Sequence, residues 1–189
     1  ERYPVLGEKR DVSTWPTGFK GMFGDRNFTL EDKEGNILAW ANSLWIYMDL
    51  EKGRPTKPSK EDIAKYGLTE PLEREFAPRK IEVSAEEFTV LEPVKVMKYQ
   101  IDTNGHMNNC HYVSVAMEVL DSAERFTQVR VEYKKSAVYG DVILPKIASR
   151  LAPLNISLSL FIFCSEKVAI IFSKSFLLIF FSFSDTLFF

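Results

Sequence analysis

The sequence predicts a strand-dominated α+β chain, and three observations carry that prediction. Residues 27–50 hold two β-prone runs around a Gly-containing turn, and residues 126–145 return to strand character. Between them, residues 109–120 place apolar side chains at helical spacing. The 189 residues suffice for one ordinary domain or two small ones.

Taken in order, the chain opens on "ERYPVLGEKRDVSTWPTG", which reads as a strand ending in a Pro/Gly turn. Starting within a strand, with no initiator Met and no apolar leader, the sequence reads as a fragment without a visible signal peptide. "NFTLED", the turn "KEGN" and "ILAWANSLWIYMDL" predict a hairpin. Trp40, Trp45 and Tyr47 give it a large apolar face that must be covered. "KGRPTKPSK", 52–60, is a Pro-punctuated basic connection, and "EDIAKYG" predicts one or two helical turns stopped by Gly67. Residues 68–86 are charged and irregular, as a linker would be. "EFTVLEPVKVMKYQI", 87–101, alternates as a strand with Pro93 at an edge or bulge. Val113, Ala116, Met117 and Leu120 then mark a helix, with Asn108 or Asn109 as its N-cap.

After about Arg150 the composition changes. Residues 156–189 hold nine of the fifteen Phe, no Gly and no Pro, with only Glu166, Lys167, Lys174 and Asp185 charged. Lys174 and the serines interrupt it, so no apolar run reaches the roughly 18 residues of a membrane span. Antisense reading turns Glu and Lys codons into Phe and Leu codons, and the segment has the composition of a Glu/Lys-rich stretch read that way. It is expected to be an aberrant hydrophobic tail rather than part of the fold.

Net charge −2 and pI near 5.8 argue against a nucleic-acid binder. Two cysteines, Cys110 and Cys164, fit a reducing compartment better than a disulfide framework. With two histidines and no paired cysteines there is no metal signature.

The densest chemistry lies in "QIDTNGHMNNCHYVSVAMEVL", 100–120. One reading is structural: Asp-Thr-Asn-Gly makes a good turn, and Asn108 and Asn109 are caps. The other is catalytic. A helix start offers unpaired N–H groups and a positive dipole end, and one well-aimed donor to an oxyanion is worth roughly 3–4 kcal/mol. His106 can act as base or donor near neutral pH, and in an extended lead-in Asp102 and Asn104 would share its side.

The pattern D-x-N-x-H-x-N-N-x-x-Y, here Asp102, Asn104, His106, Asn108, Asn109 and Tyr112, resembles the acyl-acyl carrier protein thioesterases of plants and bacteria. So, in the same order, do "ERYPVLGEKRDVSTWP", Arg26, Phe28, Gly35, Ser43, Trp45, Arg54 and Pro55. The resemblance covers about residues 1–147. It implies a double hotdog, two antiparallel sheets each wrapped around a helix, with both units incomplete in this chain. Residues 1–67 would be a partial N-terminal unit that shapes the acyl pocket but lacks its first strand and helix. Residues 68–86 would be the linker, 87–149 a partial catalytic unit, and 150–189 the aberrant tail.

The resemblance further implies hydrolysis of fatty acyl-acyl carrier protein to free fatty acid and carrier protein, terminating fatty acid synthesis. Asp102, Asn104 and His106 fall on the catalytic positions. Plant relatives carry a catalytic Glu where "YKKSA" has Ser136, which cannot act as a base but can hold a water. No cofactor or metal is implied, because the thioester is already activated. The partner would be acyl carrier protein, an acidic molecule that Lys95, Lys98, Lys134 and Lys135 could steer. Nucleic acid and membrane are not expected, and a homodimer is allowed. The compartment would be cytoplasmic for a bacterial-type protein and the plastid for a plant one. An acyl-CoA thioesterase and an inactive acyl-binding paralogue are the alternatives.

Overall fold

β1 (Asp11–Lys20), β2 (Phe23–Glu31) and β3 (Ile37–Ile46) form an antiparallel meander in a computed structural model that describes residues 3–77, 79–81, 89–118, 126–150, 159–164, 168–173 and 178–182. Gly21, at φ 64°, makes the tight reversal between β1 and β2, a conformation that costs glycine nothing. In the β2–β3 turn the Asp32 carboxylate accepts the N–H groups of Glu34 and Asn36 at 3.1 and 2.8 Å. The Pro and Gly expected to end the first strand lie inside it instead. The ladder slips between Pro16 and Gly18, and β1 is an edge strand, where a missing N–H is tolerated.

Residues directly opposite one another share a sheet face. Thr14, Phe28 and Ala41 share one face of the meander with Arg26, Ser43, Gly24 and Trp45. Trp15, Asn27, Thr29 and Trp40 share the other. The segment after the first helix covers this second face. Trp15 Nε1 donates to the Glu70 carbonyl at 3.0 Å, Asn27 Oδ1 accepts the Leu72 N–H at 2.8 Å, and Trp40 meets Phe76 edge-on at 5.3 Å. Trp40 and Trp45 therefore lie on opposite faces, not on one. They are five residues apart, an odd step in a period of two.

β4 (Met48–Asp49) pairs with β5 (Arg54–Pro55), and α1 (Lys60–Lys65) follows, started by a reciprocal capping box between Ser59 and Asp62. The strand expected over 87–101 is broken into β6 (Thr89–Val90), β7 (Val94–Lys95) and a 3₁₀ turn, Lys98–Gln100. Pro93 stands between the two strands, and each takes a different partner. The later elements are α2 (Asn109–Met117), β8 (Gln128–Tyr133), β9 (Val142–Ile143), β10 (Pro145–Arg150), β11 (Ser159–Cys164), β12 (Val168–Ser173) and β13 (Leu178–Ser182). β7 pairs with β9 and β6 with β10.

The main sheet has nine strands in the order β1-β2-β3-β13-β8-β12-β11-β10-β6. β13 runs parallel to both neighbours, and the other pairs are antiparallel. The Phe/Ser-rich segment supplies β11, β12 and β13, and β13 joins the N-terminal meander to the rest. Its aromatic and β-branched residues suit strands. Among the described residues no helix is long and apolar enough to cross a membrane.

α2 lies on this sheet with Tyr112, Val115 and Ala116 buried against Val131, Tyr133 and Ile170. Its buried stripe is thus 112/115/116, one position away from the expected 113/116/117/120. Met117 is 56% exposed, and Leu120 lies outside the described residues.

Candidate active site

The polar cluster begins as a closed turn. The Asp102 N–H donates to the His106 carbonyl at 2.8 Å, and the Gly105 N–H donates to the Asp102 carbonyl at 3.1 Å. Gly105 takes φ 77°, which the turn requires and glycine accepts. Asp102 Oδ1 accepts the N–H groups of Asn104 at 2.8 Å and His106 at 3.3 Å. Asp102, Asn104 and His106, all half-buried, are therefore gathered by a carboxylate-capped turn and not by the extended lead-in expected from their even spacing. Among the described residues no side-chain hydrogen bond joins the Asp102 carboxylate to the His106 imidazole.

Met107 follows, 1% exposed and anchored in the core, and turns the chain toward α2. Asn108 is the N-cap: its side chain accepts the Cys110 N–H at 3.0 Å and its carbonyl the His111 N–H at 3.0 Å. Two first-turn donors are thus satisfied locally, and among the described residues the Asn109 N–H has no hydrogen-bond partner. Among the described residues, Asn109 Oδ1 is a buried acceptor without a hydrogen-bond partner. His111 packs edge-on against Tyr99 at 5.7 Å, and Cys110 is an exposed free thiol.

Position 136 comes to the same place from β8. The Ala137 carbonyl accepts the Met107 N–H at 2.7 Å, so half-buried Ser136 is carried on a strand of chain bonded to the residue after His106. Two tyrosines complete this region. The Ala137 N–H donates to Tyr112 Oη at 2.8 Å, and Tyr133 Oη donates to the Asn109 carbonyl at 3.0 Å. Sequence reading did not single out Tyr133. The alternation in "VRVEY" turns Val131 and Tyr133 inward together, and that was the available signal.

A separate cavity of about 430 Å³ lies on the other face of the meander, lined among others by Phe19, Arg26, Phe28, Trp45, Tyr47 and Tyr66. None of the residues 102–109 lines it. Tyr66, placed by α1, meets the Phe19 ring edge-on at 5.1 Å. The Arg26 guanidinium lies 5.8 Å from the Trp45 ring centroid and donates to Thr14 Oγ1 at 3.2 Å. Burial raises the pKa of Asp25 at the cavity edge.

Several solved structures share this fold. A Lactobacillus plantarum protein described as an oleoyl thioesterase is 22% identical with TM-score 0.68, over 88% of this chain and 69% of its own. An acyl-ACP thioesterase of Bacteroides thetaiotaomicron is 19% identical with TM-score 0.61, over 88% and 68%. The 12:0-ACP thioesterase of Umbellularia californica is 20% identical with TM-score 0.69, over 92% and 68%. No curated protein matches the sequence. Residues 1–66 match the acyl-ACP thioesterase N-terminal domain and residues 83–161 the C-terminal domain, the second match ending inside β11. With both domains matched in order over more than half of its length, this chain belongs to the acyl-acyl carrier protein thioesterase family.

Proposed function

We propose that the turn at 102–106 and the start of α2 are where this thioester hydrolase cleaves fatty acyl-acyl carrier protein, releasing the fatty acid and the carrier thiol. The observation that carries the reading is the single turn that gathers Asp102, Asn104 and His106 ahead of an N-capped helix. Water attacks the thioester carbonyl, with the His106 imidazole and the Asp102 carboxylate taking its proton. Asn104 and the Asn109 N–H hold the carbonyl oxygen as it gains negative charge. The carbonyl re-forms, the C–S bond breaks, and the thiolate takes up the proton. Asn109 Oδ1, a buried acceptor, can orient the water.

The cavity on the N-terminal meander takes the acyl chain, and residues 1–67 and 87–149 act as the pocket-forming and catalytic units. Ser136 has no basic side chain, so turnover rests on Asp102 and His106. Two assays test the reading. Acyl carrier protein and coenzyme A thioesters of one acyl chain are compared as substrates, and His106→Ala is compared with the parent. Preference for the carrier protein and a loss of turnover of about 10²–10⁴-fold in His106→Ala with an unchanged circular dichroism spectrum support it. Unchanged turnover in His106→Ala refutes the site.

A further inference from the structure

The motif tyrosine Tyr112 lies in the first turns of α2, yet its hydroxyl does not point at bulk solvent: the residue is 2% exposed and accepts the N–H of Ala137, itself fully buried. The Ala137 peptide is held on both sides. Its carbonyl accepts the Met107 N–H at 2.7 Å, while its N–H is tied to Tyr112 at 2.8 Å. Tyr133, the last residue of β8, donates its hydroxyl to the Asn109 carbonyl and packs edge-on against Tyr112 at 5.6 Å. Three hydrogen bonds and the contact between the two tyrosine rings thus close a loop from 107 to 109, through Tyr133 and Tyr112, to 137. His106 and Ser136 sit immediately outside it, one on each chain.

We propose that Tyr112 is a positioning residue for hydrolysis, with Tyr133 as its support: the pair fixes the chain at 136–137 against the chain at 106–109. The inference rests on the proposed function of the 102–106 turn. The physical reason is that a buried N–H without an acceptor is costly. If the Tyr112 hydroxyl is removed, the Ala137 peptide must move to find another partner. Movement there is transmitted through the Met107–Ala137 bond to the residue next to His106. A misplacement of about 1 Å at a reacting centre can cost about 10²-fold in rate.

The experiment uses the full chain and its Tyr112→Phe, Ser136→Glu and doubly substituted forms, assayed with lauroyl- and palmitoyl-acyl carrier protein. Tyr112→Phe keeps the ring and its packing. The expected result is a kcat about tenfold lower with KM within twofold, and a displaced pH–rate profile. Whatever factor Ser136→Glu contributes to kcat in the parent is expected to change by severalfold in the Tyr112→Phe background, because the two act through one peptide. A purely structural role lowers Tm but leaves kcat and the Ser136→Glu factor untouched, and that result overturns the proposal. If the parent does not turn over, the functional reading fails separately. The clamp is then read by amide exchange at Ala137 and by NMR titration of His106, both expected to change in Tyr112→Phe; no change in either overturns it.

Discussion

Asp102 and His106 are joined twice through the main chain of His106: its carbonyl accepts the Asp102 N–H at 2.8 Å, and its N–H reaches Asp102 Oδ1 at 3.3 Å. The carboxylate therefore has a structural task that is separable from its charge. In Asp102→Asn the amide oxygen can still accept the N–H groups of Asn104 and His106, so the turn survives while the negative charge is lost. The expected outcome is a Tm within a few degrees of the parent and a kcat at least about 10²-fold lower. Asp102→Ala removes the cap as well and should cost about a further 1–2 kcal/mol in urea unfolding. Equal turnover in Asp102→Asn and the parent would reduce Asp102 to a turn residue.

The turn was legible because its causes are local: Asp-Thr-Asn-Gly names its own bonds, and Asn108 caps a helix one residue away. The β2–β3 hairpin was legible for the same reason. What the sequence hid depends on partners far along the chain. The odd spacing of Trp40 and Trp45 already sets them on opposite faces of a strand, but which face is covered depends on the distant segment at 70–76. The face of α2 was misjudged because both of its sides carry apolar residues, so spacing alone cannot choose between Tyr112 and Val113. Tyr133 finds its acceptor 24 positions upstream, beyond any local pattern.

Gly24 sits opposite Trp45 on the cavity face, and a Cβ there would meet Phe19 Cε1 at 2.8 Å. The backbone accepts alanine, so the strain falls on the Phe19 ring, which lines the same cavity and leans on Tyr66. Gly24→Ala should cost about 1–3 kcal/mol of stability and narrow the cavity. If the cavity holds the acyl chain, the ratio of kcat/KM for palmitoyl to lauroyl substrate falls about tenfold. An unchanged ratio alongside a lowered Tm places the chain elsewhere.

Asp25 offers a test of pH dependence. Burial raises its pKa above 3.8, so the folded state favours the protonated form. That contribution to stability is complete below the unfolded value and is lost as pH rises through the folded one. At pH 7 the ionised, half-buried carboxylate therefore weakens the fold. Asp25→Asn should raise Tm at pH 7, and the gain should shrink toward zero as pH falls below about 4. A constant gain at every pH would mean that the amide gains new contacts instead.

The decisive case is the Phe/Ser-rich segment. β12 pairs with β8 from Ser173↔Gln128 to Val168↔Tyr133, and Ile170, 1% exposed, joins the core under α2. β13 lies between β8 and β3. A chain ending at residue 150 would leave β8 unpaired along both edges and β3 along one. Bare apolar edges invite aggregation rather than a smaller fold. Removing Ile170 alone, as Ile170→Ala, should cost about 2–5 kcal/mol, a large part of the 5–15 kcal/mol that ordinarily holds a domain together. The 1–150 chain is therefore expected to show no cooperative thermal transition, whereas Ile170→Ala keeps one at a lower Tm. If residues 1–150 melt cooperatively at the parent Tm, and Ile170→Ala has no effect, the segment lies outside the fold. Residues 159–182 would then be the foreign appendage that their composition suggests, and the strands completing the sheet would have to come from other sequence.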